Sequence, residues 1–263
     1  VSIAQELTNA AVIGLPGTNR RQDPYYGKCK RSIVQNFQHF EWGWLPAPGV
    51  NKSCGVSLLV RTDVFPPKTL NAIYSPPNHL TGRAGAVRYK SSTFDVLSMV
   101  LYVAPNTHPK YNKCNMQLFE WAILIRKKMP KRTQFFLTLD ANAHIGTGPI
   151  ACPPYIGTAE PAKENSNGKL FREFLINAKL VAVNTHCCAG GTYFGEKSET
   201  RVDYIAVDLH TYNRGNISCK VWNRSGDKLQ HIHTTARKDH RPLFAKVSCG
   251  LTYQHDLPQC KKF

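Results

Sequence analysis

The sequence predicts an α/β protein in which two mainly antiparallel β-sheets pack face to face with helices outside. Short apolar, β-branched runs recur along the chain, helical segments interrupt them, and no glycine-rich phosphate loop accompanies any strand. With 263 residues, 42% of them hydrophobic, the chain is large enough for one domain with a real core. We read that domain over residues 1–250, with 251–263 as a C-terminal tail and no internal repeat.

Taken in order, SIAQELTNA is expected to form a short helical stretch feeding a buried strand over 10–15 (AAVIGL). A second strand spans 55–60 (GVSLLV), stopped by Arg61-Thr62-Asp63, and the Tyr, Arg and Gln-rich stretch between them, with Trp42 and Trp44, is expected to be a loop. Residues 83–89 and 93–103 read as a hairpin, the second arm rich in β-branched and apolar residues and ended by Ala104-Pro105-Asn106. Over 117–128, Leu118, Trp121, Ala122 and Ile125 follow the i, i+3, i+4, i+7 pattern of an amphipathic helix, and its basic end, Arg126-Lys127-Lys128, suits a helix C-terminus. Residues 134–139 then form a buried strand that delivers Asp140. Asn167-Gly168 opens a helix over 169–177, strands follow at 180–184, 202–207 and 243–247, and 146–168 and 210–226 are loops within the domain.

Lys and Arg number 34 against 17 for Asp and Glu, a net charge of +17, and the cations are spread from Arg20 to Lys262. Such a surface attracts polyanions, nucleic acid foremost, or sits against an acidic partner. The nine cysteines are an odd number without CxxC spacing, which argues for reduced thiols in an intracellular compartment. His186-Cys187-Cys188 with His231 and His233 makes a poor zinc site, since adjacent cysteines seldom ligate one ion well. The sequons at Asn51, Asn216 and Asn223 are too short to establish secretion. No apolar run approaches the roughly 20 residues needed to span a bilayer, and no cleavable signal pattern is found.

Chemistry concentrates at two places. In FLTLDANAHIG, Asp140 and Asn142 stand two apart at a strand end, where alternation would send both toward one site; the plainer reading is a strand running into an Asx turn. The pair Asp239-His240 stands near the C-terminus. Four segments occur in order: LDANAHIG, NSNGKLFREFLINAKLVAVNT, GGTYFGEKSETRVDYIAV and KDHRPLFAKV. Together they resemble the endonuclease/exonuclease/phosphatase superfamily, the DNase I-like fold, and most closely its retrotransposon-type endonucleases and the craniofacial-development-protein-2-like sequences.

The resemblance implies a four-layer α/β sandwich and a Mg²⁺- or Mn²⁺-dependent phosphodiesterase with its site at the sandwich edge. It implies that Asp140 orients or deprotonates the attacking water, Asn142 holds the phosphate, Asp239 ligates the metal, and His240 steadies the charge on the phosphoryl oxygens. Asp203 would orient His240, with Asn184 and Thr192 in support. A metal and an imidazolium suit such a reaction, because the phosphodiester's own charge repels hydroxide. Tyr25-Tyr26, Lys28, Lys30, Arg31, Trp42 and Trp44 are candidates for backbone contact and base stacking; the plainer reading is exposed loop cations and tryptophans that pack onto the sheet.

The pattern also breaks. The family's first strand, ending in a metal-binding asparagine, has no counterpart, so the chain is expected to begin after it. The glutamate of the family's Leu-Gln-Glu-Thr, its principal metal ligand, falls at Gly17 in Leu15-Pro16-Gly17-Thr18. The family's tyrosine before Ala-Pro falls at Val103, while Tyr102 would face the other way. These losses fall on the metal shell, so metal binding should be weakened, with Glu6, Asp23 or Glu41 the carboxylates available to replace it. The expectation is a degenerate nuclease with a basic nucleic-acid-binding surface; the alternatives are an active metal-dependent endonuclease and a structural subunit of a larger assembly.

Overall fold

The computed structural model describes residues 10–45, 54–105, 109–147, 154–194, 199–222 and 240–247. The expected N-terminal helical stretch, the C-terminal tail, Asp239, His231 and His233 lie outside these residues.

Strands β1 (Val12–Pro16), β2 (Lys30–Val34), β3 (Phe37–Trp42) and β4 (Val56–Arg61) form an antiparallel sheet in the order β1-β4-β3-β2. The segment expected to be a loop is thus largely a hairpin. In β3, Gln38, Phe40 and Trp42 share one face, so a glutamine occupies a buried strand position, where its Nε2 donates to the Phe65 carbonyl at 3.3 Å. That glutamine masks the alternation. Lys30–Val34 is an edge strand, mostly exposed, and carries no apolar run before Ile33.

The second sheet begins with β5 (Leu70–Tyr74), β6 (Ala84–Lys90), β7 (Asp95–Tyr102) and β8 (Gln134–Asp140). The expected hairpin is β6–β7, and the expected amphipathic helix is α1 (Pro109–Lys127). Because α1 carries the chain back over the sheet, β7 and β8 are parallel, whereas the other neighbours in this sheet are antiparallel. After the short parallel pair β9 (Gly146–Thr147) and β10 (Ala162–Lys163) comes helix α2 (Ser166–Ala178). Its N-cap is Asn165, whose side chain accepts from the Gly168 N–H, so the helix starts earlier than Asn167-Gly168 suggested.

Strand β11 (Leu180–Ala182) and the two-residue pair β12 (Tyr193–Phe194) and β13 (Glu199–Thr200) precede β14 (Asp203–Asp208). The second sheet therefore runs β11-β14-β8-β7-β6-β5. A short helix α3 (Leu209–Arg214) and β15 (Ile217–Val221), both in a segment expected to be loop, lead to β16 (Leu243–Val247), which pairs with β15.

Two apolar layers hold this together. Phe119, Trp121, Phe171 and Phe174 of α1 and α2 pack on Leu97, Leu101, Phe135 and Leu139 on the outer face of the second sheet. Phe40, Trp42, Val56 and Leu58 meet Val87, Tyr89, Val100 and Tyr102 between the sheets. There Gly14 of β1 lies against the Thr138 hydroxyl of β8 and Gly85 of β6 against the Trp42 ring; a Cβ at either would collide with that side chain.

Candidate active site at the sandwich edge

Strand register brings four residues into one row across the second sheet. Asp203 at the start of β14 lies directly opposite Asp140 at the end of β8, and Asp140 in turn pairs with Tyr102 at the end of β7. The Tyr102 N–H donates to the Arg83 carbonyl at 2.8 Å, which extends the row to the residue just before β6. Thr138 and Phe136 face the first sheet, so Asp140, two residues on, faces it too. Asp203 shares that face by antiparallel pairing. Val103, by contrast, packs under the helices, opposite in direction to Tyr102.

His240 closes the end of the row. Its Nδ1 lies 3.0 Å from Asp203 Oδ2, and one ligand atom from each of Asp140, Asp203 and His240 falls within 4.8 Å of the others. His240 is held by a bridge to Tyr193, and the next residue, Arg241, donates its N–H to the Thr192 carbonyl at 2.8 Å. Its ring also stands edge-on to that of Tyr193, with centroids 5.3 Å apart. Asp239 lies outside the described residues.

The backbone that presents Asp203 is fixed from both sides. The buried Thr192 hydroxyl accepts from the N–H groups of Val202 at 3.1 Å and Asp203 at 3.0 Å. Buried Asn184 donates Nδ2 to the Asp203 carbonyl and accepts the Ile205 N–H. Replacing Thr192 with Val strands two backbone donors, one buried and one half-buried, and should cost about 1–3 kcal/mol, measured by denaturant unfolding; an unchanged midpoint would show that the hydroxyl supports nothing.

Asn142 behaves differently from the alternation argument. The strand ends at Asp140, and Asn142 adopts a left-handed backbone with φ 44°. Its N–H donates to Asp140 Oδ1 at 3.0 Å, the Asx turn, while its side-chain amide donates to the Val103 carbonyl at 2.9 Å. It braces the end of β7 instead of projecting beside Asp140. Beneath it lies an amide network that sequence reasoning did not pick out. Buried Asn115 and Asn167 both donate to the Ala104 carbonyl, Asn115 also donates to Asn167 Oδ1, and Asn167 reaches the Asn142 carbonyl. Arg201 is also buried, donating to the carbonyls of Ala159, Glu160 and Asn184.

The Pro16-Gly17-Thr18 turn lies at this same edge. The Thr18 N–H donates to Gly55, the Gly55 N–H donates to Gly82, and Gly82 adjoins Arg83 of the row. Gly17 itself has φ 72°. Lys30, paired with Glu41, stands at the same end of the first sheet, since neighbouring Trp42 pairs with Val56 and Val56 with Pro16. Lys28 and Arg31 are exposed, and Lys30 Nζ sits 4.7 Å from the Tyr26 ring centroid and 3.9 Å from Asp23. Trp42 is not available for base stacking: it is 1% exposed, and its Nε1 donates to Ser75. Trp44 is half-buried and donates to the Asn19 carbonyl at 3.3 Å.

This architecture matches solved structures along nearly the whole chain. The 3′-5′ exonuclease NExo from Neisseria meningitidis aligns with 15% identity over 93% of this chain and 93% of its own, with a TM-score of 0.58. The endonuclease domain of TRAS1, a telomere-specific non-LTR retrotransposon, aligns with 16% identity over 94% and 90%, with a TM-score of 0.56. The 3′ phosphatase NExo from Neisseria bound to a product DNA hairpin aligns with 15% identity over 94% and 93%, with a TM-score of 0.57. The chain has the endonuclease/exonuclease/phosphatase fold. No protein-family model matches the sequence, and no curated protein does.

Whether this endonuclease/exonuclease/phosphatase fold can hold a divalent ion turns on its donors. Asp140, Asp203 and His240 could approach one ion, but Asp203 and His240 already bond each other. Hard Mg²⁺ favours oxygen ligands, and here an imidazole supplies one of three donors. Among the described residues neither Asp23 nor Glu41 joins the group, and Glu6 lies outside them. The described donors by themselves fit a tightly held Mg²⁺ poorly, and no chemical step is routed through one.

Proposed function

We propose that this protein is a degenerate nuclease that binds a nucleic-acid backbone at the Asp140–His240 edge without turning it over. The observation that carries the reading is the Pro16–Thr18 turn. It reaches the site's edge and brings no carboxylate, beside a cluster in which one carboxylate is already spent on the imidazole. The +17 charge and the cations Lys28, Lys30 and Arg31 at or near that end of the first sheet supply the attraction.

Asp203 holds the imidazole, which is 42% exposed at its side chain and so open to a phosphate oxygen, and Asp140 lines the same surface. NExo has been solved with a product DNA hairpin, and the TRAS1 domain is an endonuclease, so a nucleic-acid strand is the ligand class we assign. The likeness is spread evenly over these proteins and favours no finer choice. We assign it a reducing, intracellular setting from the odd number of cysteines without CxxC spacing.

A second reading, a working Mg²⁺- or Mn²⁺-dependent endonuclease, is favoured by the approach of Asp140, Asp203 and His240 to within 4.8 Å. Gel-shift titration of DNA and RNA beside a supercoiled-plasmid nicking assay in each metal separates the two. We expect shifted complexes and intact plasmid. Nicking that disappears in Asp140→Ala and His240→Ala establishes the enzyme instead; neither shift nor nicking leaves a structural subunit.

A further inference from the structure

We propose that Arg83 is the anion-binding residue of this edge. It receives the phosphate next to the one at Asp140 and His240, so that a nucleic-acid strand binds without a divalent metal. The inference rests on the nucleic-acid-binding reading above and names the residue that makes the binding work.

Arg83 is 5% exposed, and its Nη1 is fully buried without a hydrogen-bond partner. The arginines in ion pairs among the described residues are Arg61, Arg88, Arg132, Arg172 and Arg201; Arg83 is not among them. Its Cζ lies 5.9 Å from the ring centroids of both Tyr102 and Tyr111, which flank the guanidinium without accepting a conventional hydrogen bond through their faces. Burial pushes the Cys54 and Cys114 thiols up, and the Arg83 charge opposes that push at each. The cation thus sits in a largely buried setting with no anion to balance it among the described residues.

An unpaired buried charge is costly, and an orphaned guanidinium N–H is more so. Both costs are relieved when an oxyanion arrives, and the guanidinium fork matches phosphate geometry. The row supplies the placement. Arg83 and Asp140 are separated by one intervening strand, so their backbones lie roughly 10 Å apart along the same end of the sheet. At that separation the two side chains attend to different phosphates of one strand. Where a carboxylate-held ion would have supplied positive charge near Gly17, the guanidinium supplies it permanently.

The test titrates a fluorescein-labelled single-stranded deoxyoligonucleotide by anisotropy at several salt concentrations, in EDTA and in Mn²⁺. For the wild-type protein we expect equal binding in both. Arg83→Gln should bind about ten- to a hundredfold more weakly and lower the salt slope by about 1, while Arg83→Lys recovers part of the affinity.

Oligonucleotides with a single neutral methylphosphonate, moved one linkage at a time, probe the wild-type protein independently of any variant's folding. One linkage should weaken binding, and in Arg83→Gln that same linkage should no longer matter. Wild-type affinity and slope in Arg83→Gln, binding lost in EDTA, or no sensitive linkage overturns the proposal while leaving nucleic-acid binding intact. An absence of wild-type binding removes the underlying reading as well.

Discussion

Asp95→Ala is expected to destabilise the protein by about 3–5 kcal/mol, a large share of the roughly 5–15 kcal/mol that holds a typical domain folded. Asp95 opens β7 with its side chain only 1% exposed, and Arg88 of β6 grips it with two bonds, Nε to Oδ1 at 2.8 Å and Nη2 to Oδ2 at 2.6 Å. Arg132 adds a contact at 3.4 Å from a half-exposed side chain. Removing the carboxylate leaves the Arg88 guanidinium partly desolvated and unpaired, which costs far more than the pair contributes. Burial alone would push the Asp95 carboxyl up, but the Arg88 bonds and the charges of Arg88 and Arg132 outweigh it and hold the group below its ordinary value.

A carboxyl lowered on folding stabilises the protein above its unfolded-state pKa, and that contribution is lost as pH falls through the folded value. Denaturant midpoints measured from neutral pH into the acid range should therefore fall for the wild type and flatten in Asp95→Ala. The double change Arg88→Met/Asp95→Leu should recover most of the loss, since well-packed apolar residues often replace a buried pair without penalty. A single variant that unfolds at the wild-type midpoint would mean that solvent already screens the pair.

Where sequence and structure agree, the physical signal was local. β6, β7, β8 and β14 are apolar runs, and α1 carries a regular stripe, so burial wrote their pattern directly. β2 and β3 escaped because Gln38 occupies an inward position and Lys30–Val34 is an edge that need not be apolar. The same inward face carries Trp42, which packs onto the sheet, as the plainer reading of the tryptophans had it, and is out of reach of a base. Asp140, Asp203 and His240 lie 37 to 100 positions apart, and no spacing rule joins them; only the ordered motifs did, and the register then placed them side by side.

Asn142 was misplaced because alternation holds only while a strand lasts. Arg83 had no motif at all. Its significance comes from burial without a partner and from a row of strand pairs, neither of which a linear sequence displays.

Gly17→Glu is expected to raise Mn²⁺ affinity at least about tenfold over the wild type, measured by isothermal titration calorimetry. The turn already lies at the site's edge, tied through Gly55 and Gly82 to the residue that begins the row. A carboxylate there would add an oxygen donor to a group whose weakness is that Asp203 and His240 satisfy each other. The backbone opposes the substitution, because Gly17 has φ 72°, a conformation that should cost a side-chain-bearing residue about 1–2 kcal/mol. The variant should thus unfold at a lower denaturant concentration in EDTA and regain part of the difference in Mn²⁺, since an ion that binds only the folded state stabilises it by mass action. Asp140→Ala in the Gly17→Glu background should abolish the added affinity, which distinguishes a shared site from an ion held by the new carboxylate alone. Unchanged Mn²⁺ binding in Gly17→Glu, with the stability loss present, would show that the turn points away from Asp140 and that position 17 alone does not account for a weak metal shell.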